Sequence, residues 1–414
     1  VHSPAPTTTR SAVPQVSGHQ DALDGVRAVA ALAVLVFHVA SNAGAIKAPD
    51  GAGWLYNGGQ VGVAVFFVLS GLLLYRPWAA AVLTGRSAPR TGTYLLKRAL
   101  RILPAYWAML AVFFAVAARE HLADPASWAA ITTLTHPYVP DPWWSGDLGP
   151  HHIGQIWSLA VEAAWYVLLP LTAALLAWYA RRTGATDPAT LARRLLYGLG
   201  GYASVSFLYT VVLFVPEHHR RIGVWPPRYF AWFALGMALA VLTVWARVDE
   251  RGPAAALCRR VADSWGACWA AAGLLLVVAA TPATGPLFLG EQPQFWPSQF
   301  HLLVNGLCAL AFVAPAALAP VRAGGGMGGG TGDMVRTLLG NPVMRFLGRI
   351  SYGLFLWQML IIVVWFEESD RMGRGSVATD LPLLLAATIA AATAGYYLVE
   401  KPFQLLARRL GRAS

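Results

Sequence analysis

The sequence predicts an all-α polytopic integral membrane protein with about ten transmembrane helices and both termini cytoplasmic. Three observations predict it. Of 414 residues, 57% are hydrophobic and 12% are charged, against about 25% charged in an average soluble domain. The apolar residues form long continuous runs, not the alternation of a lipid-facing barrel strand. The Lys and Arg residues collect in every second connection between those runs.

A helix needs about 20 apolar residues to cross a bilayer. The first run, 24–41, carries Arg27 and His38. The second, 61–79, reads as an unbroken apolar stretch around Ser70 and Gly71. The third, 102–118, follows a basic segment, and the fourth, 156–179, contains Glu162. Runs at 196–215 and 228–246 come next, then a short Ala-rich one at 265–280. The last three are 300–320, 346–366 and 381–399.

Orientation follows from the basic residues. With the N-terminus cytoplasmic, 24 of the 31 Lys and Arg lie inside. Outside are Lys47, Arg119, Arg220, Arg221, Arg228, Arg371 and Arg374. The net charge of +11 is therefore read as topology. No nucleic-acid motif accompanies it, so no nucleic-acid partner is expected.

Residues 1–20 are Pro-, Ser- and Thr-rich and read as a disordered tail. The membrane domain then spans 21–405, and 406–414 is a basic cytoplasmic tail. Gly324–Gly332 lacks the GxxxxGK[ST] phosphate-loop pattern and reads as a flexible linker. Cys258, Cys268 and Cys308 show no metal spacing, and no metal is expected.

Ionisable groups at membrane depth cost several kcal/mol and are functional candidates. His38 and Glu162 are the two that stand out. Arg27 and His38 are eleven residues apart, which returns to within about 20° of one face after a rise of about 16 Å. Ser158, Glu162 and Tyr166 share a face at i, i+4 spacing.

The segment LDGVRAVAALAVLVFHV (23–39) closely resembles the opening of the membrane acyltransferase-3 family, whose hallmark is Arg-x10-His. GVAVFFVLSGLLL (62–74), KRALRILPAYW (97–107), IWSLAVEAAWYVLLP (156–170), LGRISYGLFLWQ (347–358) and VEKPF (399–403) resemble further family blocks in order. The resemblance covers about 24–405. Gln358 stands where many relatives carry His, and Phe355 where Tyr is usual. Gln holds a hydrogen bond but cannot shuttle a proton. The chain ends at Ser414, and the stand-alone form without a fused esterase-like domain is expected.

The resemblance implies a membrane O-acyltransferase. An acyl group would pass from cytoplasmic acyl-CoA, a co-substrate rather than a bound cofactor, to a hydroxyl. The acceptor would be a glycan, glycolipid or secondary metabolite. A bacterial cytoplasmic membrane is the expected location, with membrane lipid as the surrounding partner. His38 is expected as general base, with an acyl-imidazole as the rival route. Glu162 would orient His38 or bind the acceptor. Donor phosphates call for arginine forks, and Arg27, Arg98 and Arg101 fit at the cytoplasmic end. Ser70, Trp157, Ser158, Tyr166, Ser351, Tyr352 and Gln358 are candidate lining residues. Trp143 and Trp144, in the long outer segment 119–155, are either an interfacial anchor or an acceptor platform. One cavity joining His38 to Glu162 is expected. A transporter or flippase of a lipid-linked sugar is the alternative, but no inverted repeat supports it.

Overall fold

The structure is a computed structural model. It describes residues 13–16, 18–47, 51–139, 142–144, 147–285, 292–320 and 331–413. Most of the expected 1–20 tail and nearly all of the Gly324–Gly332 linker lie outside the described residues. The described end of the tail is anchored: Val13 is fully buried, and Pro14 bridges to Pro320.

The helices are α1 (Asp21–Asn42), α2 (Val61–Thr84), α3 (Thr91–Val116), α4 (Pro125–Thr132), α5 (Ile156–Arg181) and α6 (Pro188–Phe214). Then come α7 (Phe230–Val248), α8 (Pro253–Asp263), α9 (Trp265–Ala279), α10 (Phe295–Leu318) and α11 (Thr331–Leu339). The chain closes with α12 (Pro342–Arg349), α13 (Ser351–Glu368), α14 (Val377–Gly395) and α15 (Lys401–Ala413). Several starts follow one rule. Proline opens α4, α6 and α12, where its missing N–H costs nothing, and Asp124, Asp187 and Asn341 cap the free donors.

Among the described residues, eight helices are long and apolar enough to cross a membrane, or up to ten if each of two bent pairs counts as one span. The protein is thus an all-α multi-pass membrane protein. The bent pairs correct the sequence reading. The run 265–280 is the second arm of α8–α9, bent by 70°, and the run 346–366 breaks at Ile350 into α12 and α13, bent by 65°. The second bend has a visible cause. Gly348 sits so close to α1 that a Cβ there would collide with the Asp24 carbonyl. Ser351 then donates to the Gly348 carbonyl at 2.8 Å as the next helix starts.

The final span also differs. It runs through a π-helical turn, Tyr396–Glu400, into α15. Residues 406–413, expected as a tail, continue that helix. Pro402 lacks the N–H that a regular helix would use one turn back, and the turn widens there.

α2 is central. Gly71 and Gly236 bring it against α7 so closely that a Cβ on either would strike the other helix's backbone. Phe67 stacks on Phe233 at 4.5 Å, and Trp165 of α5 covers the same ring at 4.2 Å. A second core, with Tyr106, Phe113 and Leu356 fully buried, joins α3, α5 and α13. α1 packs on both α2 and α13. This arrangement encloses a space among α1, α2, α3, α5 and α13.

Candidate active site

That space is a cavity of about 150 Å³. Arg27 enters it from α1, Ser70 from α2, and Arg98 and Arg101 from α3. Ser158, Glu162 and Tyr166 line it from α5, Ser351 and Tyr352 from α13. Nine of the residues singled out in the sequence therefore meet in one place.

Glu162 organises its polar wall. One of its carboxylate oxygens accepts from the Ser70 hydroxyl and from the Tyr166 hydroxyl, the latter at 2.7 Å. The i, i+4 spacing thus gives a direct bond between Glu162 and Tyr166. Ser158 donates instead to the Gln155 carbonyl at 3.1 Å. Tyr352 donates to the Ile102 carbonyl at 2.9 Å and ties α13 to α3.

The three arginines differ in their partners. Arg27 Nη1 donates to Asp24 Oδ1 at 2.8 Å, one turn back on α1. Arg101 Nη1 lies 3.7 Å from Glu400 Oε2. Arg98 Nε is buried with no hydrogen-bond acceptor. Two more buried donors without acceptors stand beside it: Tyr94 Oη, one turn earlier on α3, and Trp78 Nε1, whose ring meets Tyr94 edge-on at 6.3 Å. Buried donors are nearly always satisfied, so this group is chemically suited to an incoming acceptor-rich anion.

His38 lies elsewhere. α1 is unbroken from Asp21 to Asn42, so His38 stands about 16 Å along the helix from Arg27 on nearly the same stripe. The expected shared cavity contains Glu162 but not His38. Gln358 of α13, fully buried, approaches the imidazole. His38 Nδ1 and Gln358 Oε1 are both buried without a hydrogen bond. Phe355, one turn before Gln358, does line the cavity and meets Phe66 edge-on at 6.4 Å. Phe355 therefore belongs to the apolar part of the cavity wall.

Three candidates are packing residues. Trp157 rests on Tyr229 at 5.2 Å, outside the cavity lining. Trp144 is buried, and Trp143 stacks on His121 at 3.6 Å. With one ring buried and a face of the other covered, the pair anchors its loop on the second core. His152 Nε2 and Glu367 Oε2, 2.7 Å apart, fasten the same loop to the end of α13. His136 in that loop is enclosed, and burial pushes its imidazole down to about 4.

Sequence reasoning missed Asp24, Trp78, Tyr94 and Glu400 as parts of the site. Asp24 was detectable at i−3 from Arg27, and Tyr94 at i−4 from Arg98. Glu400 reads as a helix terminus in the sequence, but it is buried against Arg101. Among the described residues no group of three His, Cys, Asp or Glu could hold a metal ion.

The sequence model of a family described as Acyltransferase domain matches residues 20–400. A Bacillus subtilis (strain 168) protein provisionally named as the peptidoglycan O-acetyltransferase YrhL is 25% identical over 403 residues, covering 92% of this chain and 54% of its own. A Staphylococcus aureus (strain COL) protein provisionally named as an O-acetyltransferase is 23% identical over 399 residues, covering 92% and 57%. The chain thus spans little more than half the length of these relatives. No solved structure matches it.

Proposed function

The chain belongs to the acyltransferase family whose model spans residues 20–400, and from that premise we propose that it moves an acyl group from cytoplasmic acyl-CoA to an acceptor hydroxyl. The observation that carries this reading is the division along α1. Arg27 lines a basic cavity with Arg98 and Arg101, while His38 stands about 16 Å further along the same helix.

In this reading the cavity end faces the cytoplasm of a bacterial cell, as the bias of Lys and Arg favours. Arg27, Arg98 and Arg101 hold the phosphates of acyl-CoA. The pantetheine arm runs past Phe66 and Phe355 towards His38. The acceptor oxygen attacks the thioester carbonyl, and His38 takes its proton as general base. The C–O bond forms, the C–S bond breaks, and the thiolate leaves and is protonated. Among the described residues His38 Nδ1 makes no hydrogen bond, which supports a ring nitrogen available for that role. Glu162 acts at the cavity as the acceptor for Ser70 and Tyr166 and as the counter-charge to Arg98. In this reading it does not orient His38.

An envelope sugar hydroxyl is the leading acceptor, because the Bacillus relative's name specifies peptidoglycan. Mass spectrometry of envelope glycans and lipids from cells with and without the gene tests the reading. One class of acyl ester should disappear with the gene and return with the wild-type protein. An unchanged acyl-ester profile would contradict the assignment.

A further inference from the structure

Glu400 is a buried carboxylate behind the cavity-lining Arg101. Its side chain is 1% exposed. Neither carboxylate oxygen accepts a hydrogen bond from the described residues. Its ion pair with Arg101 is open at 3.7 Å. A buried carboxylate ordinarily collects several donors, because an unpaired charge is costly away from water. This one is held at the end of a π-helical turn, a backbone feature frequent at functional sites.

The neighbouring pair shows what a fixed bridge looks like in the same protein. Asp24 and Arg27 are hydrogen-bonded at 2.8 Å within one helix turn. Arg101 and Glu400 instead face each other from α3 and the chain's final span. Arg101 carries five N–H donors and lines the cavity. Glu400 does not line it.

We infer that Glu400 is a releasable counter-ion. It holds Arg101 while the cavity is empty and yields it to the anionic donor, so that its charge lowers donor affinity without touching the donor. The inference rests on the cavity being the donor site. The physics gives the sign. An entering anion is drawn by Arg101 and repelled by Glu400. A closed, hydrogen-bonded bridge would position Arg101, and its removal would weaken binding. An open bridge competes with the anion, and its removal strengthens binding.

Coenzyme A binding to the purified full chain in detergent, measured by calorimetry, separates the two. Glu400→Gln keeps the shape and removes the charge. It should lower the dissociation constant about threefold to tenfold. Glu400→Asp, which lengthens the gap to Arg101, should give a smaller gain. Arg101→Ala should weaken binding, and adding Glu400→Gln to it should bring a smaller gain than Glu400→Gln brings alone, because only the direct repulsion is then relieved. Weaker or unchanged binding by Glu400→Gln, with wild-type binding intact, would overturn the inference while leaving the donor site standing. Inorganic pyrophosphate is the second probe. If coenzyme A does not bind the wild type but pyrophosphate does, and more tightly to Glu400→Gln, the coenzyme A reading fails and the counter-ion stands. If neither probe responds, both fail.

Discussion

Arg27 and His38 lie on one unbroken helix, eleven residues apart, yet Arg27 lines the basic cavity and His38 does not. The helix therefore acts as a ruler. It fixes a cationic end and an imidazole end about 16 Å apart on nearly one stripe, and the expected effects of substitutions divide accordingly.

At the cationic end, Arg98→Ala and Arg101→Ala should raise KM for acyl-CoA about tenfold or more and change kcat little. A phosphate contact made equally in the ground state and the transition state acts on binding. Steady-state kinetics in native membranes checks this. A fall in kcat with KM unchanged would assign these residues to the chemical step.

Glu162 should be structural as well as electrostatic. Glu162→Ala leaves the Ser70 and Tyr166 hydroxyls without their acceptor and should cost about 1–3 kcal/mol of stability. Glu162→Gln retains an accepting oxygen and should cost less. Thermal unfolding of both variants in the same detergent decides it, and equal losses would show that the hydrogen bonds are not what Glu162 supplies.

The loop that holds His136 carries a pH dependence. His136 is held neutral, with its imidazole pushed down to about 4 by burial, against about 6.5 in an unfolded chain. Between those values the unfolded chain binds the extra proton and the folded protein does not. The contribution of His136 is therefore complete above about pH 6.5 and is lost as pH falls towards about 4. Melting temperatures of wild type and His136→Leu, taken at neutral and mildly acidic pH, should show a larger fall on acidification in the wild type than in the variant. Parallel losses in the two proteins would remove His136 as the source.

Close packing of α2 on α7 gives a fourth expectation. Gly71→Val places side-chain atoms where the Phe233 carbonyl lies, and overpacking of this kind costs about 1–3 kcal/mol or more. The variant should unfold at lower temperature and lose monodisperse size-exclusion behaviour. Wild-type stability would mean that α2 and α7 can separate.

How much of this was legible in the sequence depends on what each feature rests upon. Arg27, Arg98, Arg101, Glu162 and Tyr166 were legible because the family resemblance marked their segments and helix periodicity fixes which face each occupies. The spans were legible because apolar runs of bilayer length have few other uses. Periodicity does not say where a cavity ends along a helix. That is why His38 and Glu162 were expected in one cavity, and only Glu162 lines it. The break at Ile350 was hidden inside an apolar run, because its cause is the contact between Gly348 and α1. Glu400 was hidden because its meeting with Arg101 depends on the last span packing against α3. Trp143 and Trp144 were ambiguous because sequence does not reveal which ring faces are covered.

The separation along α1 is tested most directly by one paired measurement on His38→Ala: coenzyme A affinity of the purified protein, and acyl transfer to envelope glycan in native membranes. A cavity bounded by Arg27 and a reaction centred on His38 require coenzyme A to bind with wild-type affinity while transfer falls by at least about a hundredfold, the minimum scale of a lost general base. Wild-type transfer by His38→Ala, or a loss of coenzyme A affinity as large as that of Arg27→Ala, would contradict it.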